Sequence, residues 1–430
     1  MQFIAVMFAV SVALVPASLF LRPDFVLAGM GAVLALRGKR YRPAVQLVMP
    51  EIQFLGVMTL LAFVTLIVQL LLKDDFIARD LMILFRYLFY CSALIFGAAI
   101  GAVSVRPNIT LTRAALIGAI FVVTVTVAQY FDPGGLIGAI TIKVYGRPET
   151  MAIAETYWRR PVGTLSNPNY WGYYASALMI TATTYVLFGR KLWWAVVALG
   201  LLWAIILTGS RTALLAPVIA WAALVLLMTT IGREKVGRAV ILAGAFVSIG
   251  VIGLYLVMTQ GGYEYAGRFS VENTKTLDLR IMHWTRLWAE IEQSSLQLIL
   301  GAGPQKAVGP LWADNMYLRL IRNYGVVAAG VYVALLWFVV RRLIKLLKWL
   351  SGQFRLHVIA VTLIWLLMAV FDLVADTWFN IRIASLVLFL HGFTIAAVDR
   401  NMKGKSGDVS MRSRMVFHAV AQKKTSKTAT

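Results

Sequence analysis

Residues 311–340 read LWADNMYLRLIRNYGVVAAGVYVALLWFVV. The second half of this stretch, 326–340, is a continuous apolar run. Together with the residues before it, from 315 onward, it is long enough for the roughly 20 residues that a helix needs to cross a bilayer. Five polar or charged residues crowd its first half: Asp314, Asn315, Arg319, Arg322 and Asn323. The stretch therefore predicts a membrane-spanning helix whose entrance carries a polar, positively charged cluster.

The composition of the whole chain agrees with a membrane protein. Of its 430 residues 60% are hydrophobic and 14% are charged, and the mean hydropathy is +0.78. Soluble domains are nearer half apolar and a quarter charged. Apolar segments predict spans at 2–21, 25–36, 52–72, 81–104, 111–131, 169–188, 192–208, 212–230, 239–258, 315–340, 356–376 and 382–398. We therefore expect an all-α, polytopic transmembrane helix bundle of about 12 spans, or 11 if the short segment 25–36 is re-entrant.

The net charge of +22 raises the question of nucleic-acid binding, and the distribution of charge answers it. With both termini in the cytoplasm, the basic clusters at 37–42, 232–238 and 341–348 and the basic tail at 401–430 all fall on the cytoplasmic side, as the positive-inside rule requires. The charge therefore indicates topology and attraction to anionic membrane lipid, and we expect no nucleic-acid partner.

The chain divides into one transmembrane domain, 1–400, and a cytoplasmic tail, 401–430, which we expect to be disordered because it is polar and basic. Two outer segments, 132–168 and 259–314, are long enough to form the active-site side. Within the larger one, the apolar spacing over 278–299 predicts an amphipathic helix on the membrane surface or against the bundle, with Asp278 as its N-cap and a stop at GAGP.

Outward-facing arginines are the first candidate site residues. Arg211 lies in a tight turn between two spans, Arg280 opens the amphipathic helix, and Asn315, Arg319 and Arg322 share one face at helical spacing. A guanidinium group presents paired N–H donors that suit the oxygens of a diphosphate. The alternative is that each arginine extends to lipid headgroups.

Polar groups beside these arginines could complete a site. Asp314 could be a general base or only the N-cap of the following helix. His283 lies one helical turn from Arg280, although a packed or solvated histidine is the other interpretation. Asn167 and Asn169 could bind sugar hydroxyls at the entrance of the sixth span, where the neighbouring aromatic residues form a membrane belt.

The remaining signals concern metals and buried charge. The outer loops hold neither HExxH nor paired histidines, and the lone Cys91 lies in a span, so we expect no protein-built metal site and no cofactor. A divalent ion bound by substrate phosphates and one acidic side chain is the alternative that the sequence leaves open. Arg86 and Asp372 fall at one depth inside their spans, and we expect them to pair.

Five motifs in this order carry a family resemblance: GTLSNPN (163–169), TGSRTALL (208–215), LDLRIMHW (277–284), LILGAGP (298–304) and DNMYLRLIRNYGVVAAG (314–330). Together they resemble the O-antigen ligase and polysaccharide polymerase superfamily. The resemblance implies a fold like that of the membrane-embedded type C glycosyltransferases. It also implies glycan transfer from an undecaprenyl-diphosphate carrier on the outer face of the bacterial inner membrane.

Carried over to this sequence, the resemblance implies that Arg211 and Arg280 hold the diphosphate. Asp314 stands where ligases usually have a histidine, which favours a polymerase of lipid-linked repeat units over a ligase that uses lipid A-core as acceptor. Partners would be the lipid-linked glycan, membrane lipid, and possible flippase and chain-length regulator proteins.

The chemistry of a glycosyl diphosphate fits this expectation. A glycosyl diphosphate already has a good leaving group, so no general acid is needed. Cations instead stabilise the negative charge that develops as the C–O bond breaks. A base then activates the acceptor hydroxyl for an inverting displacement. Candidate bases are Asp314, His283, Glu264, Glu272, Glu290 and Glu292.

A lipid-linked oligosaccharide flippase is the alternative function from another class, but transporter sites are typically near the bilayer midplane in repeated halves. A non-catalytic scaffold of an export complex is a third possibility.

Overall fold

The structure is a computed structural model that describes residues 23–73, 78–132, 161–165, 167–189, 191–231, 244, 275–292, 294–303, 315–347 and 349–405. Two predicted spans, 2–21 and 239–258 apart from Gly244, lie outside these residues, as do Asp314, Ser166 and the tail from 406 onward. All the regular structure in the described ranges is helical, which confirms the predicted all-α class.

The helices in chain order are α1 Pro23–Arg37, α2 Arg42–Leu47, α3 Met49–Lys73, α4 Ala78–Val103, α5 Pro107–Phe131, α6 Pro168–Leu187, α7 Trp193–Thr208, α8 Arg211–Ile231, α9 Lys275–Glu292, α10 Ser295–Leu300, α11 Met316–Leu347, α12 Gly352–Phe371 and α13 Ile381–Lys405. A short 3₁₀ helix, Thr377–Phe379, lies between α12 and α13. Pro107 and Pro168 begin their helices, where the missing proline N–H costs nothing.

Among the described residues, six helices are long and apolar enough to cross a membrane: Met49–Leu71, Leu84–Val103, Pro107–Phe131, Met316–Leu347, Gly352–Phe371 and Ile381–Lys403. Shorter apolar helices cover Ala28–Arg37, Trp193–Thr208 and Arg211–Ala223. These helices support the predicted membrane protein, while the total of twelve spans stays a prediction.

The closest packing in the bundle is between α4 and α13. A Cβ atom added to Gly97 would lie 2.2 Å from the Phe389 carbonyl oxygen, and one added to Gly392 would lie 2.3 Å from that of Leu94. Small residues of this kind let helix backbones touch, which is how helices associate where no water drives them together. The pair forms a rigid centre that is continuous with the main hydrophobic core.

A buried ionic cluster joins three helices at the end that we predict to face the cytoplasm. Glu51 and His391 are fully buried, and the Glu51 Oε1 atom lies 2.9 Å from His391 Nε2 and 2.6 Å from Arg342 Nη1. Arg342 also donates a 2.6 Å hydrogen bond to the Leu47 carbonyl. The cluster joins α3, α11 and α13.

Helix α11 is broken, whereas the sequence predicted a continuous span from 315 to 340. Gly325 has φ 82° and ψ 171°, outside the helical region, and separates an upper part, 316–324, from a lower part, 326–347. Only a glycine adopts such angles without strain. The break follows from this residue and from what packs against it.

The loop after α10 closes the break. The Ala302 and Gly303 amides donate to the carbonyls of Arg322 and Asn323 at 2.6 and 3.1 Å, which replaces two hydrogen bonds that the break removes from the helix. Gln69 Nε2 on α3 donates in turn to the Ala302 carbonyl. Residues 301–303 are therefore held between α3 and the break in α11.

Three predicted boundaries need correction. The amphipathic helix begins at Lys275, so Asp278 lies in its first turn and is not its N-cap. It also ends at Glu292, and a new helix, α10, starts with Ser294 as N-cap. The eleventh predicted span, 356–376, ends earlier, because α12 stops at Phe371 and the chain turns there. The predicted stop at GAGP is confirmed, with Gly301 at φ 80°.

Candidate functional site

The start of α6 is organised by two asparagines that the sequence marked as site residues. Asn167 is the N-cap, and its Oδ1 atom accepts a 2.8 Å hydrogen bond from the Asn169 amide. The Asn169 Oδ1 atom accepts a 2.8 Å hydrogen bond from the Ser210 hydroxyl. Ser210 directly precedes Arg211. The structure thus brings the predicted entrance motif and the predicted arginine turn into contact.

Arg211 is the first residue of α8 and its side chain is exposed. The turn before it is tight because Gly209 has φ 60°. A Cβ atom added to Gly172 would lie 2.5 Å from the Ala213 Cβ, so α6 and α8 start side by side. Arg211 is therefore presented at the same end of the bundle as both asparagines.

The loop before α6 is held by two residues that the sequence analysis did not identify. Gln129 makes two hydrogen bonds to Gly163, accepting from its amide at 2.9 Å and donating to its carbonyl at 3.2 Å. The buried Arg382 donates to the Thr164 carbonyl at 2.7 Å. In each of these contacts the partner is a main-chain atom of residue 163 or 164, so no sequence period could have revealed the contact.

Asp376 is a third residue of this region that no sequence motif indicated. Its carboxylate forms an ion pair with Arg319 and accepts a hydrogen bond from the Tyr170 hydroxyl. Tyr170 belongs to the first turn of α6, and Arg319 to the first turn of α11. Asp376 therefore joins these two helix starts through one carboxylate.

The Phe379 ring lies beside the same ion pair. The guanidinium carbon of Arg319 is 4.7 Å from the ring centroid, and that of Arg86 is 4.8 Å from it. Both distances are in the range of cation–π interactions. Arg86 on α4 thus reaches the residues that follow α12.

The predicted pair of Arg86 and Asp372 is not formed. Asp372 is fully buried and accepts hydrogen bonds from the Thr377 amide at 3.0 Å, from the Thr377 hydroxyl at 2.5 Å and from the Tyr332 hydroxyl. These donors belong to its own turn and to α11. They satisfy the carboxylate locally, while the Arg86 side chain points to Phe379.

Asn315 begins α11 as its N-cap. Its Oδ1 atom accepts from the Leu318 amide at 3.0 Å, and its Nδ2 atom donates to the Leu373 carbonyl at 3.0 Å. The Met316 amide donates to the Asp372 carbonyl at 2.8 Å. The capping function considered for Asp314 is therefore carried by Asn315. Asp314 itself lies outside the described residues.

Arg322 connects this end of the bundle to α9. It is 8% exposed, and its Nη2 atom lies 3.0 and 3.4 Å from the two carboxylate oxygens of Glu290. Leu287 and Ile291 pack beside this pair against α11, so the amphipathic helix lies against the bundle. Glu290, one of the candidate bases, is therefore engaged with an arginine.

Arg280 and His283 lie nearer the start of α9, and both are half-buried. The His283 Nδ1 atom is buried and has no hydrogen-bond partner among the described residues. The structure places these two residues on the same helix as Glu290. In the described ranges α9 packs chiefly against α10 and α11, whereas Arg211 begins α8.

This end of the bundle is suited to anions. The first turns of α6, α8 and α11 are linked by the contacts of Asn169 with Ser210 and of Tyr170 and Arg319 with Asp376, and helix N-termini carry partial positive charge. Within the described ranges, no group of three or more His, Cys, Asp and Glu side chains is arranged to hold a metal ion.

Comparison with models of known protein families and with curated proteins finds no match.

Proposed function

We propose that this chain is a glycosyltransferase that polymerises undecaprenyl-diphosphate-linked repeat units on the outer face of the bacterial inner membrane. The observation that supports it is the contact between Asn169 and Ser210, beside Arg211. This contact unites, at one end of the bundle, two motifs on which the resemblance depends. A polymerase needs such a site because both of its substrates carry a diphosphate.

In this proposal Arg211 and Arg280 bind the diphosphate of the donor. They stabilise the negative charge that develops as the anomeric C–O bond breaks, so that the diphosphate leaves without a general acid. Asn167 and Asn169 use their Oδ1 atoms within the protein, and their amide nitrogens are the groups that would donate to sugar hydroxyls. The two asparagines are half-buried and border the same turn as Arg211.

The acceptor hydroxyl loses its proton to a base as it attacks the opposite face of the sugar, and a single displacement inverts the anomeric centre. Glu290 is a poor candidate because both of its carboxylate oxygens already lie within hydrogen-bond distance of Arg322 Nη2. Asp314 is the first choice, since Asn315 already caps α11 and Asp314 is not needed for that purpose. His283 is the second choice.

The proposal includes the architecture around the site. The chain would have twelve spans, a fold like that of the type C glycosyltransferases, both termini in the cytoplasm, and the outer segments 132–168 and 259–314 covering the substrates. A flippase would deliver the lipid-linked units, and a chain-length regulator would limit their number. A ligase that transfers the glycan to lipid A-core is the closest alternative and would use the same arginines.

The break at Gly325 favours a second candidate, a transporter of lipid-linked oligosaccharide. Gly325 follows nine residues of helix, about 14 Å at 1.5 Å per residue, and broken helices near the midplane are common in transporter sites. In such sites the unwound backbone faces the substrate. Here the Arg322 and Asn323 carbonyls accept from Ala302 and Gly303, so the break is filled by the chain itself.

Reconstitution into liposomes with a lipid-linked oligosaccharide separates the three functions. A polymerase lengthens the glycan on its carrier, a ligase moves it to added lipid A-core, and a flippase changes its leaflet without changing its length. We expect longer carrier-linked chains. Translocation without any glycan transfer would refute the proposed enzyme.

A further inference from the structure

Arg86 has no role in the site described so far, yet the structure places it beside a site residue. Its guanidinium carbon and that of Arg319 lie 4.8 and 4.7 Å from the centroid of the Phe379 ring. The two cations are therefore no further apart than the sum of these distances. Arginines held this close repel each other unless an anion lies between them.

The described residues near the ring supply one carboxylate for the two arginines. Asp376 is taken by Arg319 and by the Tyr170 hydroxyl. Asp372 is fully buried and bound by Thr377 and Tyr332. Across the described ranges, no acid forms an ion pair with Arg86, and its Nε atom is buried without a hydrogen-bond partner. The positive charge of Arg86 is therefore not neutralised by an acid among the described residues.

The ring that both arginines contact packs among other aromatic residues. Phe379 belongs to the 3₁₀ helix, and its ring packs 6.2 Å, centroid to centroid, from that of Tyr324. The preceding Trp378 packs 5.0 Å from Tyr90, and both are buried. Because aromatic residues replace water behind the arginines, their attraction to an anion is stronger than it would be in bulk solvent.

We propose that Arg86 and Arg319, around the Phe379 ring, bind a phosphate group carried by a lipid. Arginine forms paired hydrogen bonds to phosphate oxygens, and such a group would supply the acceptor that Arg86 Nε lacks. The site uses other residues than Arg211 and Arg280. If the proposed function holds, it receives the diphosphate of the second, acceptor unit, which a polymerase must hold beside the donor.

The test is a binding measurement in nanodiscs with geranylgeranyl diphosphate as the probe and geranylgeraniol as the phosphate-free control. The measurement uses the Arg211→Ala/Arg280→Ala protein, so that the proposed donor site does not contribute. We expect Arg86→Ala to weaken diphosphate binding about tenfold, which corresponds to the loss of one charge-assisted contact. Binding of geranylgeraniol should not change.

Two further variants separate binding from a structural role. Arg86→Lys keeps the charge but not the paired donors, and we expect a smaller loss of affinity, a few-fold. Arg286→Ala removes an exposed arginine from α9 and should leave the dissociation constant unchanged. If Arg86→Ala and Arg86→Lys lower the melting temperature while the diphosphate dissociation constant stays at the parent value, the proposal is wrong.

The source of the phosphate is decided by the lipid of the nanodisc. If the site prefers a carrier diphosphate, affinity for the probe is the same in phosphatidylcholine and in phosphatidylglycerol discs. If it holds a bilayer headgroup, phosphatidylglycerol displaces the probe, and Arg86→Ala removes that competition. Either result supports the phosphate site. A wild type that binds the probe through Arg86 but lengthens no glycan would refute the polymerase and leave this site intact.

Discussion

The Asn169 side chain and the Ser210 hydroxyl are joined by a 2.8 Å hydrogen bond, which connects the start of α6 to the turn before α8. The same hydroxyl accepts from the Ala213 amide at 3.3 Å, as an N-cap does. One oxygen atom therefore begins a helix and holds together two motifs that are 41 residues apart. The position of Arg211, the next residue, depends on it.

Ser210→Ala should lower both stability and activity. Loss of an N-cap costs about 1 kcal/mol, and Asn169 also loses its donor. We expect a lower melting temperature in detergent and slower glycan extension because Arg211 is no longer fixed. Thr285→Ala is the control, since that exposed hydroxyl donates to the Ile281 carbonyl of its own helix. Equal melting temperatures of the two variants would contradict the capping role.

Arg211→Ala and Arg280→Ala should each abolish glycan extension while the protein still inserts and folds. In the proposed function both arginines bind the leaving diphosphate, and removal of one group that stabilises transition-state charge typically costs a factor of about 10² to 10³ in rate. Turnover on lipid-linked oligosaccharide measures the effect. Arg286→Ala, an exposed arginine on the helix that carries Arg280, should keep its activity. Near-normal turnover in either site variant would remove that arginine from the site.

Gly325→Ala should be strongly destabilising. A Cβ atom there would lie 1.8 Å from the Ile299 carbonyl oxygen, and φ 82° is a strained angle for alanine. The loop at 301–303 would have to leave the break, and the Arg322 and Asn323 carbonyls would lose their donors. We expect a loss of several kcal/mol, or failure to purify as a monodisperse protein.

Gly330→Ala is the matched control for that variant. It lies in the lower part of the same helix, and a Cβ atom added there would meet nothing within 4 Å. Alanine has the higher helix propensity, so stability should stay the same or rise by up to about 1 kcal/mol. If both variants behaved alike, the break at Gly325 would have no structural importance.

The sequence predicted the helices of the bundle well but not the contacts between distant segments. Apolar period and length located α3, α4 and α5 within a few residues. The break at Gly325 was not predicted because it is stabilised by the loop at 301–303, about twenty residues earlier in the chain. The hydrophobic periodicity around Gly325 contains no information about that loop. The pairing of Arg86 with Asp372 was predicted only from their similar depth within two predicted membrane spans. The error arose because a carboxylate can be satisfied by amides and hydroxyls of its own turn.

In the candidate site, too, the sequence located the motifs but not all of the contacts between distant residues. The motifs around Asn169 and Arg211 were assigned to one side of the membrane from the sequence, and the structure brings them into contact. Asp376 could not be identified, since periodicity treated it as the end of a span. Its position just past Phe371, where the apolar run becomes DLVADTW, is the signal that could have identified a turn.

Asp376→Asn should weaken the connection between α6 and α11. Asparagine keeps the size of the side chain but cannot neutralise Arg319, which is partly exposed, so we expect a cost of about 1–2 kcal/mol. A double-mutant cycle with Arg319→Gln measures the ion pair by itself. We expect the double variant to lose clearly less than the sum of the single variants, and strict additivity would mean that the pair contributes nothing.

Glu51→Gln should destabilise the bundle without weakening substrate binding. Glu51 is fully buried with His391, and glutamine would leave Arg342 without its counter-ion, a change that costs about 3–5 kcal/mol when a buried pair is broken. Asp399→Asn is the control, because its ion pair with Lys403 is exposed and is worth under about 1 kcal/mol. The measurements are the melting temperature and the KM for lipid-linked oligosaccharide. Since the cluster joins the helices at the opposite end from Arg211, a raised KM in a protein of unchanged stability would contradict a purely structural role.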